Sequence, residues 1–273
     1  MQTRNIPSTG EALPVIGLGT WQTFDVDQLK YGALQEVLAL MHRAGGRLID
    51  SSPMYGRAEE AVGNITGAMP MQNDFFYATK VWTDGADAGQ KQIRDSYRLM
   101  KREVMDLVQI HNLLDWKTHL PYLRKLKEEG KLRYIGITHY LDSSHEALAT
   151  LIKKERFDFV QFNYSINGRH AEKELLPLCA DQGVATLINR PFGEGALFRK
   201  VAHKPLPSWA AEAGISSWSS FFLGFILAHP GVTCVIPATG NPAHAAENLQ
   251  SGETMVADKE TLQRMVRFIE EEA

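Results

Sequence analysis

Leu48-Ile49-Asp50-Ser51-Ser52-Pro53-Met54-Tyr55-Gly56 reads as a short apolar strand that ends on an acid. A tight Ser-Pro turn follows, and a tyrosine stands five residues after the acid. Strand ends are where barrels and open α/β sheets place their chemistry, so a carboxylate and a phenol are well sited there. Such an acid can equally cap or brace a loop, so its meaning depends on what the other strands deliver.

Outward from this stretch, the same unit repeats. Short apolar runs at 14–21, 47–50, 75–80, 106–111, 134–138, 159–163, 184–188 and 234–237 are expected as strands. Between them lie helix patterns. Tyr31, Leu34, Leu38 and Met41 recur at helical spacing and stop at Gly45-Gly46, and a second helix is expected over 57–67. Ile93, Tyr97, Met100 and Val104 form one face of a third, and a fourth over 120–129 ends at Gly130. Ser143 and Glu146 predict a capping box before Leu148, Leu151 and Ile152, and helices are expected over 172–181 and 219–229. Runs apolar on both faces, alternating with amphipathic helices, mean parallel strands buried on both sides. Eight β/α units in one chain predict a (β/α)8 TIM barrel, a single domain over residues 1–273, rather than a doubly wound sheet. The stretch 191–217, rich in Gly, Pro and Trp, is the one irregular insertion and is expected to act as a flap over the site.

The totals narrow the function. The chain has 273 residues, 44% hydrophobic and 22% charged, with a formal net charge of −3. That composition suits a globular protein with a large core. The charge argues against nucleic acid and against an anionic membrane surface as partners. The longest apolar run, 221–228, falls far short of the roughly 20 residues of a membrane span. Residues 1–10 are polar and hold no signal-peptide core. Cys179 and Cys234 lack paired spacing and predict buried free thiols, consistent with a cytoplasmic location. The histidines form no HxxxH or HxH spacing, so no metal is expected. A monomer or weak homo-oligomer acting on a small molecule is the resulting picture.

In a TIM barrel the strand ends meet. They carry Asp50 and Tyr55, Lys80, His111, Thr138-His139, and Gln161 with Asn163. Singly, each has a structural reading: Asp50 and Lys80 can be an ion pair of the core, His111 a loop cap, Tyr55 a packed ring. Together they fit one chemical task. A tyrosine is a poor proton donor near neutrality unless a cation lowers its pKa, and Lys80 can supply that charge while Asp50 holds Lys80. His111 can orient a carbonyl oxygen toward the Tyr55 hydroxyl. A proton donor over a carbonyl needs a hydride to complete a reduction, which a nicotinamide or flavin must bring. A Schiff-base aldolase using Lys80 is a second reading, although an adjacent acid disfavours the neutral amine. A non-catalytic cofactor-binding regulatory subunit is a third.

The sequence resembles the aldo-keto reductases over nearly its whole length. The resemblance rests on Gly17-Leu18-Gly19-Thr20-Trp21, on Asp50 through Gly56 with Glu59 and Gly63, and on Thr79-Lys80-Val81-Trp82. It continues through Gln109-Ile110-His111-Asn112, Gly136-Ile137-Thr138-His139-Tyr140 and Gln161-Phe162-Asn163-Tyr164. It closes with Val235 through Pro242 and Glu247-Asn248-Leu249. It implies a (β/α)8 barrel that reduces aldehydes and ketones with NADPH, with Asp50, Tyr55, Lys80 and His111 as the catalytic tetrad and Tyr55 as general acid. It further implies cofactor contacts at Gly19, Thr20, Trp21, Thr138, His139, Gln161, Thr239, Asn241, Glu247 and Asn248. A substrate pocket walled by Trp21, Met54, Trp82, Asn112 and Phe192, or by Trp116, is expected.

The pattern departs from the family in three places. His139 stands where Asn is usual. Asn189-Arg190-Pro191-Phe192 replaces a Tyr or Trp followed by Ser-Pro, so Arg190 is expected to approach the cofactor phosphates. Ala238 and His244 replace the Lys and Arg of the 2′-phosphate site. A helix start capped by Asn241, with Pro242 at its first position, leaves an anion site beside Thr239, so NADPH is favoured and NADH is possible.

Overall fold

Residues of one parity along the short strands are apolar low in the chain direction and polar at the C-terminal end, and this sets the architecture. Leu48 precedes Asp50, Ala78 precedes Lys80, Leu107 precedes Gln109 and His111, and Phe159 precedes Gln161 and Asn163. Alternate residues of a strand share a face. Turned inward, the first set builds an apolar plug and the second a polar floor above it.

The computed structural model describes residues 1–253 and 259–272. Strands β1 (Thr3–Asn5) and β2 (Ala12–Pro14) form an antiparallel hairpin. The other eight form one parallel sheet in sequence order: β3 (Leu18–Gly19), β4 (Leu48–Asp50), β5 (Phe76–Val81), β6 (Met105–His111), β7 (Leu132–Thr138), β8 (Phe159–Asn163), β9 (Ala185–Asn189) and β10 (Cys234–Val235). Parallel bridges Ile16–Val235 and Gly19–Ala238 join the last strand to the first, so the sheet closes into the expected barrel. Helices α1 (Tyr31–Arg43), α2 (Ala58–Gly67), α3 (Ala86–Leu99), α4 (Trp116–Glu128), α5 (His145–Lys154), α6 (Leu175–Gln182) and α8 (Trp218–Leu227) follow successive strands. Short α7 (Ala196–Lys200) precedes α8, and α9 (Pro242–Gln250) and α10 (Lys259–Arg267) follow β10.

Two apolar clusters result. The inner one holds Leu48, Phe76, Leu107, Tyr134, Phe159 and Leu187, and Ile6 and Leu13 of the hairpin seal it from below. The larger one fills the annulus between barrel and helices. Cys179 and Cys234 are buried free thiols, as their surroundings predict. No helix among the described residues is long and apolar enough to cross a membrane.

Several local expectations need correction. The run 14–21 is not one strand: Pro14 ends β2, and only Leu18–Gly19 enters the barrel. Val104 lies outside α3 and is exposed, because Lys101 turns left-handed (φ 55°) and stops the helix. No capping box forms at Ser143. A 3-10 turn over Asp142–Ser144 takes up those residues, and α5 starts without a side-chain cap. The box forms instead at α8, between Ser217 and Ser220. The insertion after β9 is not irregular throughout: it contains α7, and Phe192 and Phe198 pack on Phe222 of α8.

The closing seam depends on small residues. A Cβ on Gly17 would meet Leu48 O at 2.9 Å and Ile236 Cγ2 at 3.2 Å. Overpacking of this kind costs about 1–3 kcal/mol. Gly17→Ala is therefore expected to lower the thermal midpoint by a few degrees, read by differential scanning calorimetry; an unchanged midpoint would show that the seam gives way freely.

Candidate active site

Asp50 ends β4 and Lys80 lies on the neighbouring β5, so both side chains turn into the polar floor. Lys80 is 0% exposed and Asp50 2%. Lys80 Nζ donates to Asp50 Oδ2 at 2.6 Å and to the Ser51 carbonyl at 2.7 Å. The second carboxylate oxygen accepts from Gln109 Nε2 and Gln161 Nε2, each at 3.0 Å. A buried ion pair persists only when its remaining hydrogen-bonding capacity is met, and the two glutamines meet it here. Gln109 was not expected at the site from sequence. Its signal is its place two residues before His111 on the same strand face.

Burial alone would lower the Lys80 pKa, but the charge of Asp50, followed by the influence of Tyr55, outweighs it and holds the ammonium above its ordinary value. Lys80 Nζ sits 5.0 Å from the centre of the Tyr55 ring. Burial raises the Tyr55 hydroxyl, and the pull of Lys80 is opposed by Asp50 behind it. Lys80 pulls it down as expected, but burial outweighs that pull and the net direction is upward. The phenol is thereby kept protonated at neutral pH.

His111 ends β6, and its ring meets that of Tyr55 edge-on at 6.1 Å. Burial first, then the Lys80 charge and His139, push its pKa down to about 3. It is a neutral imidazole. Ser52 Oγ accepts from Met54 N at 3.4 Å and lies 3.3 Å from His111 Nδ1, so its own proton is free to point at that nitrogen. With the Ser52 hydroxyl donating to Nδ1, Nε2 is the N–H end of the ring.

These groups open onto a cavity of ≈ 460 Å³ at the C-terminal mouth of the barrel. Asp50, Tyr55 and His111 line it; Lys80 stands behind them. Trp21, Met54, Trp82, Asn112 and Phe192 wall it as expected. Gly19, Thr20, Thr138 and Gln161 lie along its floor, with Asn189, Arg190 and Pro191 at one side. Sequence reading missed Gln22, Thr23, Tyr140, Glu194 and Ile236, loop and strand-end residues that no spacing marks. Trp116 does not line it; its ring faces Lys117 and Lys154.

Other expected contacts lie apart from the cavity. The Nδ1 of His139 accepts from the backbone N–H groups of Tyr140 and Leu141, which turns the ring to its own loop. Thr239 and Asn241 lie where β10 runs into α9, and Glu247 and Asn248 lie further along that helix. Asn241 caps α9 as predicted, its Oδ1 accepting from Ala243 N at 2.9 Å, and Thr239 Oγ1 accepts from Asn241 N at 3.1 Å. Arg190 is held by Glu194 at 2.8 Å and stacks 4.2 Å over Tyr140, so it is tied across the cavity rim and not extended toward a phosphate. Gln161 is committed at both ends, its Oε1 accepting from Thr138 and Asn189. The neighbouring Asn189 Oδ1 is an open acceptor, buried without a partner.

The fold also brings together Asp142, His145 and His170, a trio of metal-ligand type that no spacing announced. Hydrogen bonds run from Asp142 through Asn163 to His145 Nε2, and from His145 Nδ1 to His170 Nδ1. Each group thus has a partner within the trio and Asn163.

The family model described as the aldo/keto reductase family matches residues 15–270. The chain belongs to that family. It is 28% identical to methylglyoxal reductase YeaE of Escherichia coli over 95% of each chain. It is also 28% identical to an Escherichia coli NADH-specific methylglyoxal reductase, over 74% of this chain and 71% of that one. A solved aldo-keto reductase from Klebsiella pneumoniae, in complex with NADPH, superposes with a TM-score of 0.83 at 23% identity, covering 98% of this chain and 96% of its own. That likeness establishes the fold of this aldo-keto reductase as the barrel described above.

Two outcomes test the electrostatics. Removing one partner of a buried pair costs about 3–5 kcal/mol. Asp50→Ala should therefore lose about that much in chemical denaturation, and Asp50→Ala with Lys80→Met should regain most of it; equal losses would show that the charge is not the cause. For His111, the unfolded ring titrates near 6.5 and the folded one near about 3. Its contribution to stability is full above about pH 6.5 and is lost as pH falls toward the folded value. His111→Asn should flatten the fall in unfolding free energy between pH 7 and pH 4 by up to about one proton; an unchanged slope would count against the buried neutral ring.

Proposed function

We propose that this aldo-keto reductase reduces aldehydes or ketones to alcohols with a nicotinamide cofactor, NADPH in the first instance, and that Tyr55 is the general acid. The observation that carries this reading is the protonated Tyr55 hydroxyl held between a buried ammonium and a neutral imidazole at the mouth of the cavity. Family membership supports the reaction class. The two methylglyoxal reductases among its relatives support a small aldehyde as substrate, and the NADH-specific one keeps NADH open as donor.

The residues fit a nicotinamide dinucleotide. Asn189 Oδ1 offers an unpaired acceptor for a carboxamide. At the far end, the Thr239–Asn241 turn and the start of α9 offer a hydroxyl and a helix N-terminus for a phosphate. A bound nicotinamide supplies the hydride.

The chain's own residues do the rest. His111 donates from Nε2 to the substrate oxygen and aligns it. Tyr55 gives that oxygen its proton as negative charge develops there, and Lys80 stabilises the tyrosinate left behind. Asp50 holds Lys80 in place, with Gln109 and Gln161 holding Asp50. Trp21, Trp82 and Met54 give the cavity apolar walls. A Schiff-base mechanism at Lys80 is opposed by its burial and its raised pKa, which keep the amine charged and out of the cavity.

Tyr55→Phe is expected to bind NADPH in a fluorescence titration while losing turnover of 4-nitrobenzaldehyde by about 10²–10⁴-fold. Full activity in that variant would sink the mechanism. Titrating NADPH and NADH side by side settles the donor, because Ala238 and His244 remove the usual charges for a 2′-phosphate.

A further inference from the structure

The residue after His111 is unusual in its backbone and in its side chain. Asn112 takes a left-handed conformation (φ 53°), followed by Leu113, also left-handed (φ 59°). A leucine there is strained, and strain of this kind persists where the surrounding structure imposes it, commonly at ligand sites. The pair turns the chain sharply off β6 and presents Asn112 to the cavity, beside Trp82 and the ring of His111.

The Asn112 carboxamide is also unpaired. Its Oδ1 is buried with no hydrogen-bond partner. Polar atoms enclosed in this way nearly always have partners, and one left without is costly. The neighbouring polar groups of the floor are all committed: Gln109 and Gln161 to Asp50, and Ser52 to His111. Among the described residues lining the cavity, Asn112 and Asn189 each have a side-chain oxygen left without a partner, and Asn112 is the one next to His111 in the chain. Rotation about its last side-chain bond exchanges the two ends, so it can accept from a hydroxyl or donate to a carbonyl oxygen.

Position decides which part of a substrate it meets. His111 orients the reacting oxygen, and the Cα of the next residue is about 3.8 Å along the chain. Asn112 therefore meets the substrate on the wall next to His111, a wall otherwise made of Trp21, Met54, Trp82 and Phe192.

We propose that Asn112 reads an oxygen on the carbon next to the reacting carbonyl, so that the preferred substrates are α-hydroxy aldehydes and α-oxoaldehydes and not plain aliphatic aldehydes. This rests on the reductase reading above. The chemistry at the reacting carbon is unchanged: hydride to carbon, the Tyr55 proton to oxygen. Asn112 pairs with the second oxygen, which neither gains nor loses a bond. A site built around a hydrogen bond rejects the analogue that lacks it, because its own polar group is then left unpaired.

The test compares two aldehydes of nearly the same shape, 2-hydroxypropanal and 2-methylpropanal, with NADPH as donor. The wild-type protein is expected to favour the hydroxyaldehyde by about 10- to 100-fold in kcat/KM. Asn112→Gly removes the carboxamide yet suits the left-handed backbone. In that variant the ratio of the two kcat/KM values should fall to within a few-fold of one, with the larger loss on 2-hydroxypropanal and with NADPH affinity kept in a fluorescence titration. A wild-type ratio near one overturns the proposal whether or not the variant folds. So does a variant that keeps the wild-type ratio, or one whose defect is in NADPH affinity. Oxidation of neither NADPH nor NADH by wild type, with either aldehyde or with 4-nitrobenzaldehyde, would overturn the reductase reading beneath it; oxidation without discrimination overturns this inference alone.

Discussion

The ion pair between Asp50 and Lys80 is the constraint on which the rest of the site depends. Two opposite charges lie inside a barrel whose lower half is packed with hydrophobic side chains, and both are almost wholly buried. Such a pair gains little net stability over an apolar substitute, but breaking it is expensive. The barrel must therefore supply further donors and acceptors, and it does so from three directions: the Ser51 carbonyl, Gln109 from β6 and Gln161 from β8. Thr20, on the loop after β3, adds a hydroxyl bond to the Asp50 carbonyl. The pair thus fixes the relative positions of four strand ends and, through them, the orientation of Tyr55.

Burial and charge act on neighbouring groups in opposite ways here. Lys80 stays charged because its partner is in contact with it. Tyr55 and His111 stay neutral because burial outweighs everything else acting on them. A single charged group flanked by two neutral proton-bearing groups is a suitable arrangement for stabilising an oxygen that becomes negative, since neither neutral group has to be protonated first. The ammonium's part is less to acidify the phenol at rest than to stabilise the phenolate once its proton has gone.

Stability and chemistry are divided between the two ends of the barrel. The hairpin of β1 and β2 closes the bottom with Ile6 and Leu13. The loops at the top carry the backbone irregularities: Gln22, Asn112, Arg190 and Glu194 all have positive φ and all line the cavity. The well-packed lower half lets the upper loops hold conformations they would not choose alone. The bond from Arg190 to Glu194, with Tyr140 beneath it, belongs to that upper set and gives this chain a rim unlike an aromatic wall.

The sequence by itself determined the barrel and most of the polar floor. Alternation of short buried runs with amphipathic helices leaves few other architectures, and the spacing from Asp50 to Tyr55 marks a strand end before any fold is known. Asp50, Lys80 and His111 were legible because each ends a strand, and strand ends in a barrel converge. Tertiary structure decided what periodicity cannot express. The start of α5 has a 3-10 turn over Asp142–Ser144 in place of the predicted cap, with Asn163 of another element bonded to Asp142. The direction of the Tyr55 shift depends on how much solvent is removed, which is a property of the assembled cavity. The commitment of Gln161, the capture of Arg190 by Glu194 and the unpaired state of Asn112 are likewise three-dimensional facts. Each depends on which partners residues distant in sequence bring within hydrogen-bonding reach, and local pattern carries no record of those distances.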